Sequence, residues 1–155
     1  MKNKFHTVRG YELQNSQKKI TPAMEDYIEM IYRNSLDEDF IRVNQLAKLL
    51  NVKSSSVTKM IQKLGALELV NYEKYGVVTL TSKGKKLGSH LLKRHITIEK
   101  FLDLIGCKEN ILIQTELIEH IIDNKTVKAL ETLNNFFLNH KNILEIYNIF
   151  KDNNL

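Results

Sequence analysis

A segment that is apolar on nearly every side carries three ionisable residues, and this combination limits how the chain can fold. Residues 111–122 are mostly Ile and Leu, but Glu116, Glu119 and His120 interrupt them. At about 100° per residue, the three side chains form one narrow stripe of a helix. A helix that is apolar almost all round is normally buried, and buried charges need a partner or a bound cation. The pattern therefore predicts a buried helix whose polar stripe faces other charged groups.

Further side chains of the same chemical type lie elsewhere in the chain. Asp26 and Glu29 stand on the polar side of a predicted helix that Thr21 caps and Pro22 begins, and His95 lies in mid-sequence. Carboxylate and imidazole donors suit a first-row divalent ion such as Mn²⁺ or Fe²⁺. Each of these residues alone is more often a surface acid or a core histidine, so the metal hypothesis depends on the whole set.

The distribution of charge separates the chain into two parts. Residues 1–100 hold 18 Lys/Arg and 10 Asp/Glu, whereas residues 101–155 hold 5 and 8, so the net charges are +8 and −3. A basic first part indicates a polyanionic partner, either nucleic acid or an anionic membrane surface. The sequence shows no apolar run that could span a bilayer and no signal peptide. We therefore expect a soluble, cytoplasmic protein.

The first part of the chain has the pattern of a winged helix-turn-helix. Asn44 is the predicted N-cap of a short helix, which is followed by a brief turn at 51–53 and a second helix. Segments 69–74 and 77–80 then predict two short strands joined around Tyr75, which form the hairpin called a wing.

The remaining sequence predicts helices. A long helix follows the wing and ends near Gly106, and residues 125–139 and 141–150 form two more. Gly84 and Gly88 lie near the start of the long helix, where each costs about 1 kcal/mol relative to alanine. We therefore expect another element to pack closely against them.

One face of the second helix of the helix-turn-helix carries groups that suit the major groove. Its hydroxyl, amide and ammonium side chains fall within about 140° of arc, opposite Val57, Ile61 and Leu64. Lys and Gln suit base edges, and Ser and Thr suit phosphates. An ordinary solvated face is the alternative, but the preceding turn, the wing and the basic first part favour DNA. The predicted DNA contacts are Ser54, Ser55, Ser56, Thr58, Lys59, Gln62, Lys63 and Tyr75.

Several motifs resemble those of the diphtheria-toxin-repressor family, and within it those of the manganese transport regulators. They are TPAMEDYIEMIY (21–32), SSVTKMIQKL (55–64), NYEKY (71–75), LTSKGKKLG (80–88), KRH (93–95) and E-x-x-EH (116–120). The resemblance implies a mainly α homodimer that binds operators of metal-uptake genes when metal is bound. The implied division is a polar basic arm at 1–20, a winged helix-turn-helix domain of three helices and a two-stranded wing at 21–82, and a helical metal-binding and dimerisation domain at 83–155.

The resemblance also implies six metal ligands, all of which keep the residue type of the manganese branch. They are Asp26, Glu29, His95, Glu116, Glu119 and His120. Iron-sensing relatives have a methionine at the position of Asp26 and a cysteine at the position of Glu116. Mn²⁺ is therefore the expected ion, with Fe²⁺ or another divalent ion as the alternative.

We therefore expect a repressor that binds double-stranded DNA, with no enzymatic activity, small-molecule substrate or membrane partner. Without metal, the four carboxylates would repel one another or take up protons, and a cation would join the two parts of the chain. A helical metal-carboxylate enzyme is the rival from another class, but it needs E-x-x-H pairs, and Leu92 and Leu117 stand where those acids would be. A metal-independent helix-turn-helix regulator is the third possibility.

Overall fold

The computed structural model describes residues 20–154, and in this part of the chain the protein is mostly helical with one small sheet. The predicted basic arm therefore lies outside the described residues, apart from Ile20. The elements in chain order are α1 (Pro22–Asn34), β1 (Ile41–Arg42), α2 (Val43–Leu49), α3 (Ser54–Ala66), β2 (Val70–Tyr72), β3 (Val77–Leu80), α4 (Ser82–Ile105), α5 (Ile111–Glu119), α6 (Asn124–Asn139) and α7 (Lys141–Asp152). The predicted mainly α class is confirmed.

Helix α1 begins as its sequence predicts. The Thr21 side chain caps it by accepting a hydrogen bond from the backbone N–H of Met24 at 3.4 Å, and proline occupies the first helical position. Tyr27, Ile28 and Ile31 are buried on the side that faces the core. This packing turns the acidic residues of α1 toward α4 and α5, where the candidate site lies.

The helix-turn-helix is formed by α2 and α3. Helix α2 begins at Val43 with Arg42 as its N-cap, so the prediction that Asn44 caps this helix is wrong by two residues. The Asn44 side chain instead accepts a hydrogen bond from Ser54 Oγ at 3.0 Å, which ties the start of α2 to the start of α3. Val57 and Ile61 of α3 are fully buried, so the opposite face of α3 is free to meet a partner.

The sheet has three strands in the order β1–β3–β2, and both pairings are antiparallel. The predicted wing hairpin is present, but the sequence analysis missed β1, in which Ile41 pairs with Val78. The first wing strand is also shorter than the predicted 69–74, because a 3₁₀ turn over Lys74–Gly76 follows Tyr72. The wing is therefore joined to the segment before α2 as well as to α3.

Helix α4 connects the two parts of the chain. Thr81 caps it by accepting a hydrogen bond from the Gly84 N–H at 3.0 Å, and Gly106 ends it in the left-handed conformation at φ 96°. Leu91 in its first half belongs to the core built from α1, α2, α3 and the sheet. Ile98 and Leu102 in its second half are also buried. The helix is therefore shared, and no break in the chain separates the two parts.

The two early glycines of α4 lie at close contacts, as expected. A Cβ at Gly84 would lie 2.0 Å from the carbonyl oxygen of Leu69, and one at Gly88 would lie 2.4 Å from Tyr32 Cβ. Real side chains do not approach so closely, so α4 can reach the wing and α1 only with glycine at these positions.

Helix α5 departs from the prediction of burial all round. Only Thr115 and Glu119 of this helix are buried, whereas Leu112, Ile113 and Leu117 are 57–61% exposed. The reason is geometric, because α5 lies on α4 by one face and the described part of the chain offers no second surface to cover the other. Within residues 20–154, no helix is long and apolar enough to cross a bilayer.

We expect alanine at Gly84 to destabilise the protein by about 3 kcal/mol, because its Cβ would displace the backbone of Leu69. Gly65 provides the control, since a Cβ there would meet only Val70 O at 3.8 Å. Gly65→Ala should stabilise the protein by about 0.5–1 kcal/mol by lowering the entropy of the unfolded chain. Urea unfolding of both variants measures the two effects, and a small loss for Gly84→Ala would contradict the described packing of α4.

Candidate metal centre and nucleic-acid interface

The six residues predicted as metal ligands converge from three helices. Helix α1 contributes two, α4 contributes one, and α5 with its C-cap contributes three. Their donor atoms form two groups, and the atoms within each group lie within 4.8 Å of one another. The groups are Asp26, Glu116 and His120, and Glu29, His95 and Glu119. Residues far apart in the sequence are therefore brought to one place by the packing of α1 and α5 on α4.

His95 lies at the centre of the second group. Its Nδ1 is 2.8 Å from Glu119 Oε2, and both side chains are almost fully buried. Glu116 Oε1 and Glu29 Oε1 lie 3.6 and 3.8 Å from the same nitrogen. The hydrogen bond to Glu119 is the main reason that the pKa of His95 lies above its ordinary value. A single imidazole nitrogen thus faces three carboxylates.

His120 is held between two acidic residues of α1. Its Nε2 lies 3.0 Å from Asp26 Oδ1, and its Nδ1 lies 3.1 Å from Glu25 Oε2. The contact with Asp26, followed by the hydrogen bond to Glu25, raises the pKa of His120 to about 10. Burial alone would raise the pKa of Glu25, but the hydrogen bonds from His120 and Arg94 lower it below its usual value. His120 is therefore an imidazolium near neutral pH.

Arg94 is a buried cation that joins α1 to α5. Its Nη2 donates a hydrogen bond to Glu25 Oε2 at 2.9 Å and lies 3.8 Å from Glu119 Oε1. Only 8% of its side chain is exposed. A buried guanidinium is tolerated because it is paired with carboxylates on two sides. Arg94 therefore supplies positive charge that the sequence analysis did not assign to the centre.

A second arginine meets the centre from α1. Arg33 donates to Glu29 Oε1 from Nε at 3.0 Å and from Nη2 at 2.7 Å, one helical turn away. Its side chain is 40% exposed, so this guanidinium reaches solvent, unlike that of Arg94. The two arginines and the His120 imidazolium offset much of the repulsion that was expected among the carboxylates without metal. The expected repulsion did not include these internal cations, because only tertiary packing brings them to the carboxylates.

Glu116 is the donor least constrained by the protein. Its side chain is 57% exposed. Partial burial, together with the charge of Glu119, raises its pKa above the usual value. It points into a cluster of like charge, where an additional cation would favour its ionised form.

The donor set fits a divalent ion. Four carboxylates and two imidazoles offer oxygen and nitrogen donors of the kind preferred by Mn²⁺, Fe²⁺ and Zn²⁺, with no thiolate or thioether among them. The two groups share one region, because His95 lies near both Glu116 and Glu119. A cation bound to the first group would join α1 to α5 and its C-cap, and one bound to the second group would join α1, α4 and α5.

Three charged residues at this centre were not predicted from the sequence: Glu25, Arg33 and Arg94. One signal was available for the first two, because Glu25, Glu29 and Arg33 follow one another at intervals of four and lie on one helix face. Arg94 is the middle residue of the KRH motif, in which only the histidine is a predicted ligand. Helix periodicity could thus have placed Glu25 and Arg33 near a ligand, but it could not identify their partners on α4 and α5.

The predicted DNA contacts lie on the open face of α3 and at the tip of the wing. All the predicted residues of α3 are exposed or half-buried: Ser54, Ser55, Ser56, Thr58, Lys59, Gln62 and Lys63. Tyr75 is 90% exposed and has a φ of 62°, which is uncommon for an aromatic residue. The polar face of α3 and the wing tip are therefore both available to a partner.

We expect loss of the Arg94 charge to destabilise the metal-free protein. Arg94→Met should lower the free energy of unfolding by about 3 kcal/mol, because it leaves buried carboxylates uncompensated. The neighbouring Lys93 forms an exposed ion pair with Glu131 at 2.7 Å, so Lys93→Met should cost less than about 1 kcal/mol. Denaturant unfolding in chelator tests both variants, and equal losses would show that Arg94 does not hold the acidic cluster together.

Comparison with known proteins gives matches along most of the chain. Residues 19–78 match the family model "Iron dependent repressor, N-terminal DNA binding domain", and residues 81–148 match "Iron dependent repressor, metal binding and dimerisation domain". The chain is 46% identical over 118 residues to the HTH-type transcriptional regulator MntR of Oceanobacillus iheyensis, covering 76% of this chain and 80% of the relative. It is 44% identical over 135 residues to MntR of Geobacillus thermodenitrificans, covering 86% and 96%.

Solved structures show the same relationship. The manganese regulator SloR is 31% identical with a TM-score of 0.63, and ScaR with bound Zn²⁺ is 34% identical with a TM-score of 0.62. Each match covers 73% of this chain and 54% of the other, so the chain spans about half the length of these two structures. The relatives are transcriptional regulators, in agreement with the expectation that this chain is not an enzyme. The chain therefore belongs to the diphtheria-toxin-repressor family of metal-dependent transcriptional repressors, in the branch of the MntR regulators.

Proposed function

We propose that this chain is a manganese-responsive repressor that binds operator DNA as a homodimer and controls metal-uptake genes in the cytoplasm. The single observation that carries the proposal is the convergence of four carboxylates and two imidazoles from α1, α4 and α5. The description of the similar structure SloR as a manganese regulator supports Mn²⁺ as the ion. Fe²⁺ is the alternative, because the same hard donors would accept it.

The proposed ligands are the six donors of the two groups: Asp26, Glu29, His95, Glu116, Glu119 and His120. A bound divalent cation would supply positive charge that several carboxylates can share. The donors themselves belong to two parts of the chain, since two come from α1 and the others from α4 and α5. A bound ion that fixes these donors would hold α1 in place against α4 and α5. Because the helix-turn-helix packs on α1, its orientation would be fixed as well.

The proposed division of labour follows the chain. We assign DNA binding to residues 21–82 and metal binding with dimerisation to residues 83–155, with residues 1–20 as a basic arm. The exposed apolar side chains of α5 and of the residue after its C-cap support a protein partner, since Leu112, Ile113, Leu117 and Ile121 are all more than half exposed. A second copy of the chain is the partner that the matched dimerisation domain suggests.

The proposed reading of DNA uses both exposed elements. Lys59, Gln62 and Lys63 of α3 would face base edges or phosphates in the major groove, the serines at its start would approach the backbone, and Tyr75 would contact the duplex beside it. In a dimer, two such helices read successive major grooves when they lie about 34 Å apart. A metal centre that fixes the orientation of each helix-turn-helix lowers the entropy that is lost when the dimer binds DNA. Coupling free energies of about 1–3 kcal/mol are typical of such linkage between metal binding and DNA binding.

The proposed function predicts metal-dependent DNA binding that requires Glu116. Titration of Mn²⁺, Fe²⁺ and Zn²⁺ into protein with a labelled palindrome selected from random DNA, at fixed salt, should raise fluorescence anisotropy. Glu116→Ala should raise the Mn²⁺ concentration needed by at least about tenfold, with little effect on folding because the side chain is mostly exposed. Glu145→Ala, at an exposed position on α7, is the matched control. Equal DNA affinity in chelator and in Mn²⁺ would exclude metal control.

We also expect Mn²⁺ binding to release protons and to weaken as the pH falls. The pKa of His120 is raised to about 10, and that of His95 is raised as well, whereas a metal-binding nitrogen must be neutral. Ligation must therefore expel protons that the metal-free protein holds, and each fall in pH makes this step less favourable. Calorimetry in two buffers of different ionisation enthalpy counts the protons released. A heat of binding independent of the buffer would contradict the description of His120 as a protonated ligand.

A further inference from the structure

We propose that Arg33 sets the metal affinity of the centre by acting as an internal counter-cation on Glu29 that a divalent ion must displace. The inference rests on the proposed function, because it concerns the same group of donors. It assigns a role to a residue outside the six proposed ligands.

The geometry places Arg33 on the donor atom that faces the centre. Both Nε and Nη2 of Arg33 donate to Oε1 of Glu29, at 3.0 and 2.7 Å. The same oxygen is the one that lies 3.8 Å from His95 Nδ1. Glu29 thus directs one oxygen both to the arginine and to the group it forms with His95 and Glu119.

Two cations compete for this oxygen. A carboxylate oxygen that accepts two guanidinium N–H groups has used its two lone pairs. An ion that coordinates the same atom must therefore take over a lone pair, and its double charge also repels the guanidinium. Coordination of the ion by Glu29 Oε1, the oxygen that faces His95, therefore requires Arg33 to give up at least one of its two hydrogen bonds.

The exchange requires little rearrangement. The Arg33 side chain is 40% exposed, whereas that of Arg94 is 8% exposed and paired on two sides. Arg33 lies in the last turn of α1, where the negative end of the helix dipole favours a cation after release. A cavity of about 250 Å³ lies beside Arg33, and Asp26, Glu29 and Glu116 are among its walls. Arg33 is therefore the cation of this centre that can leave.

This arrangement determines the sign of the effect. If Arg33 competes with metal, removing its charge should make metal binding tighter and should weaken the metal-free fold, because Glu29 loses its partner. If Arg33 instead served to orient Glu29 for coordination, removing it should weaken metal binding. The two roles therefore predict opposite changes in the dissociation constant.

The test compares Arg33→Gln with Lys128→Gln, which removes the same charge from an exposed position on α6. The chelator-treated full chain is titrated with Mn²⁺ by calorimetry. Arg33→Gln should bind Mn²⁺ about two- to fivefold more tightly than wild type, which is the range expected for loss of one partly exposed ion pair. The Mn²⁺ affinity of Arg33→Lys should lie between those of wild type and Arg33→Gln, because one ammonium group cannot reproduce both hydrogen bonds. The melting temperature of Arg33→Gln should fall without metal and approach that of wild type at saturating Mn²⁺.

The outcomes are distinguishable. Unchanged or weaker binding by Arg33→Gln, beside normal binding by wild type, overturns the role of Arg33 and leaves the proposed function intact. Equal tightening in Lys128→Gln also overturns it, because the effect would then come from net charge alone. Absence of Mn²⁺ binding by wild type would overturn the proposed function itself, and the role of Arg33 with it.

Discussion

Five acidic side chains from α1 and α5 meet against α4, and the arrangement of the helices depends on the cations placed among them. They are Glu25, Asp26, Glu29, Glu116 and Glu119. Two unit charges about 4 Å apart interact by about 4 kcal/mol at the effective dielectric of a protein surface, so such a cluster cannot form uncompensated. Arg33 on α1, Arg94 on α4 and His120 after α5 provide most of the compensation. The same contacts join helices that are nearly a hundred residues apart in the sequence.

Helix α4 connects this acidic cluster to the helix-turn-helix. Its 24 residues extend for about 36 Å, and its first half is packed into the same core as the helix-turn-helix. Gly84 and Gly88 let the wing and α1 approach its backbone directly. The acidic cluster lies about halfway along this shared helix, at Arg94 and His95. A change in the packing of α1 or α5 on α4 therefore alters the position of the helix-turn-helix relative to α5, α6 and α7.

Local sequence patterns predicted those elements whose signals are local. The cap at Thr21 and the end at Gly106 were predicted because capping depends on neighbouring residues. Strand β1 was missed because two residues give no periodicity, and its existence depends on pairing with β3. The donor set followed from the helical stripe and from the family resemblance. Its counter-cations could not be predicted with their partners, because an ion pair such as that of Arg94 with Glu25 spans 69 positions and exists only after α1 has packed on α4.

The position of α5 has one more consequence. One side of this short helix carries Glu119 toward the buried cluster, and another side leaves Leu112 and Leu117 in contact with water. In the proposed dimer, metal binding and subunit association would therefore both involve α5, a single helix roughly 10 Å across. Thermodynamic reciprocity then requires that any change in subunit affinity caused by metal binding is matched by an equal change in the free energy of metal binding caused by pairing. Where pairing strengthens ion binding, the metal affinity of the centre would also depend on the concentration of the regulator.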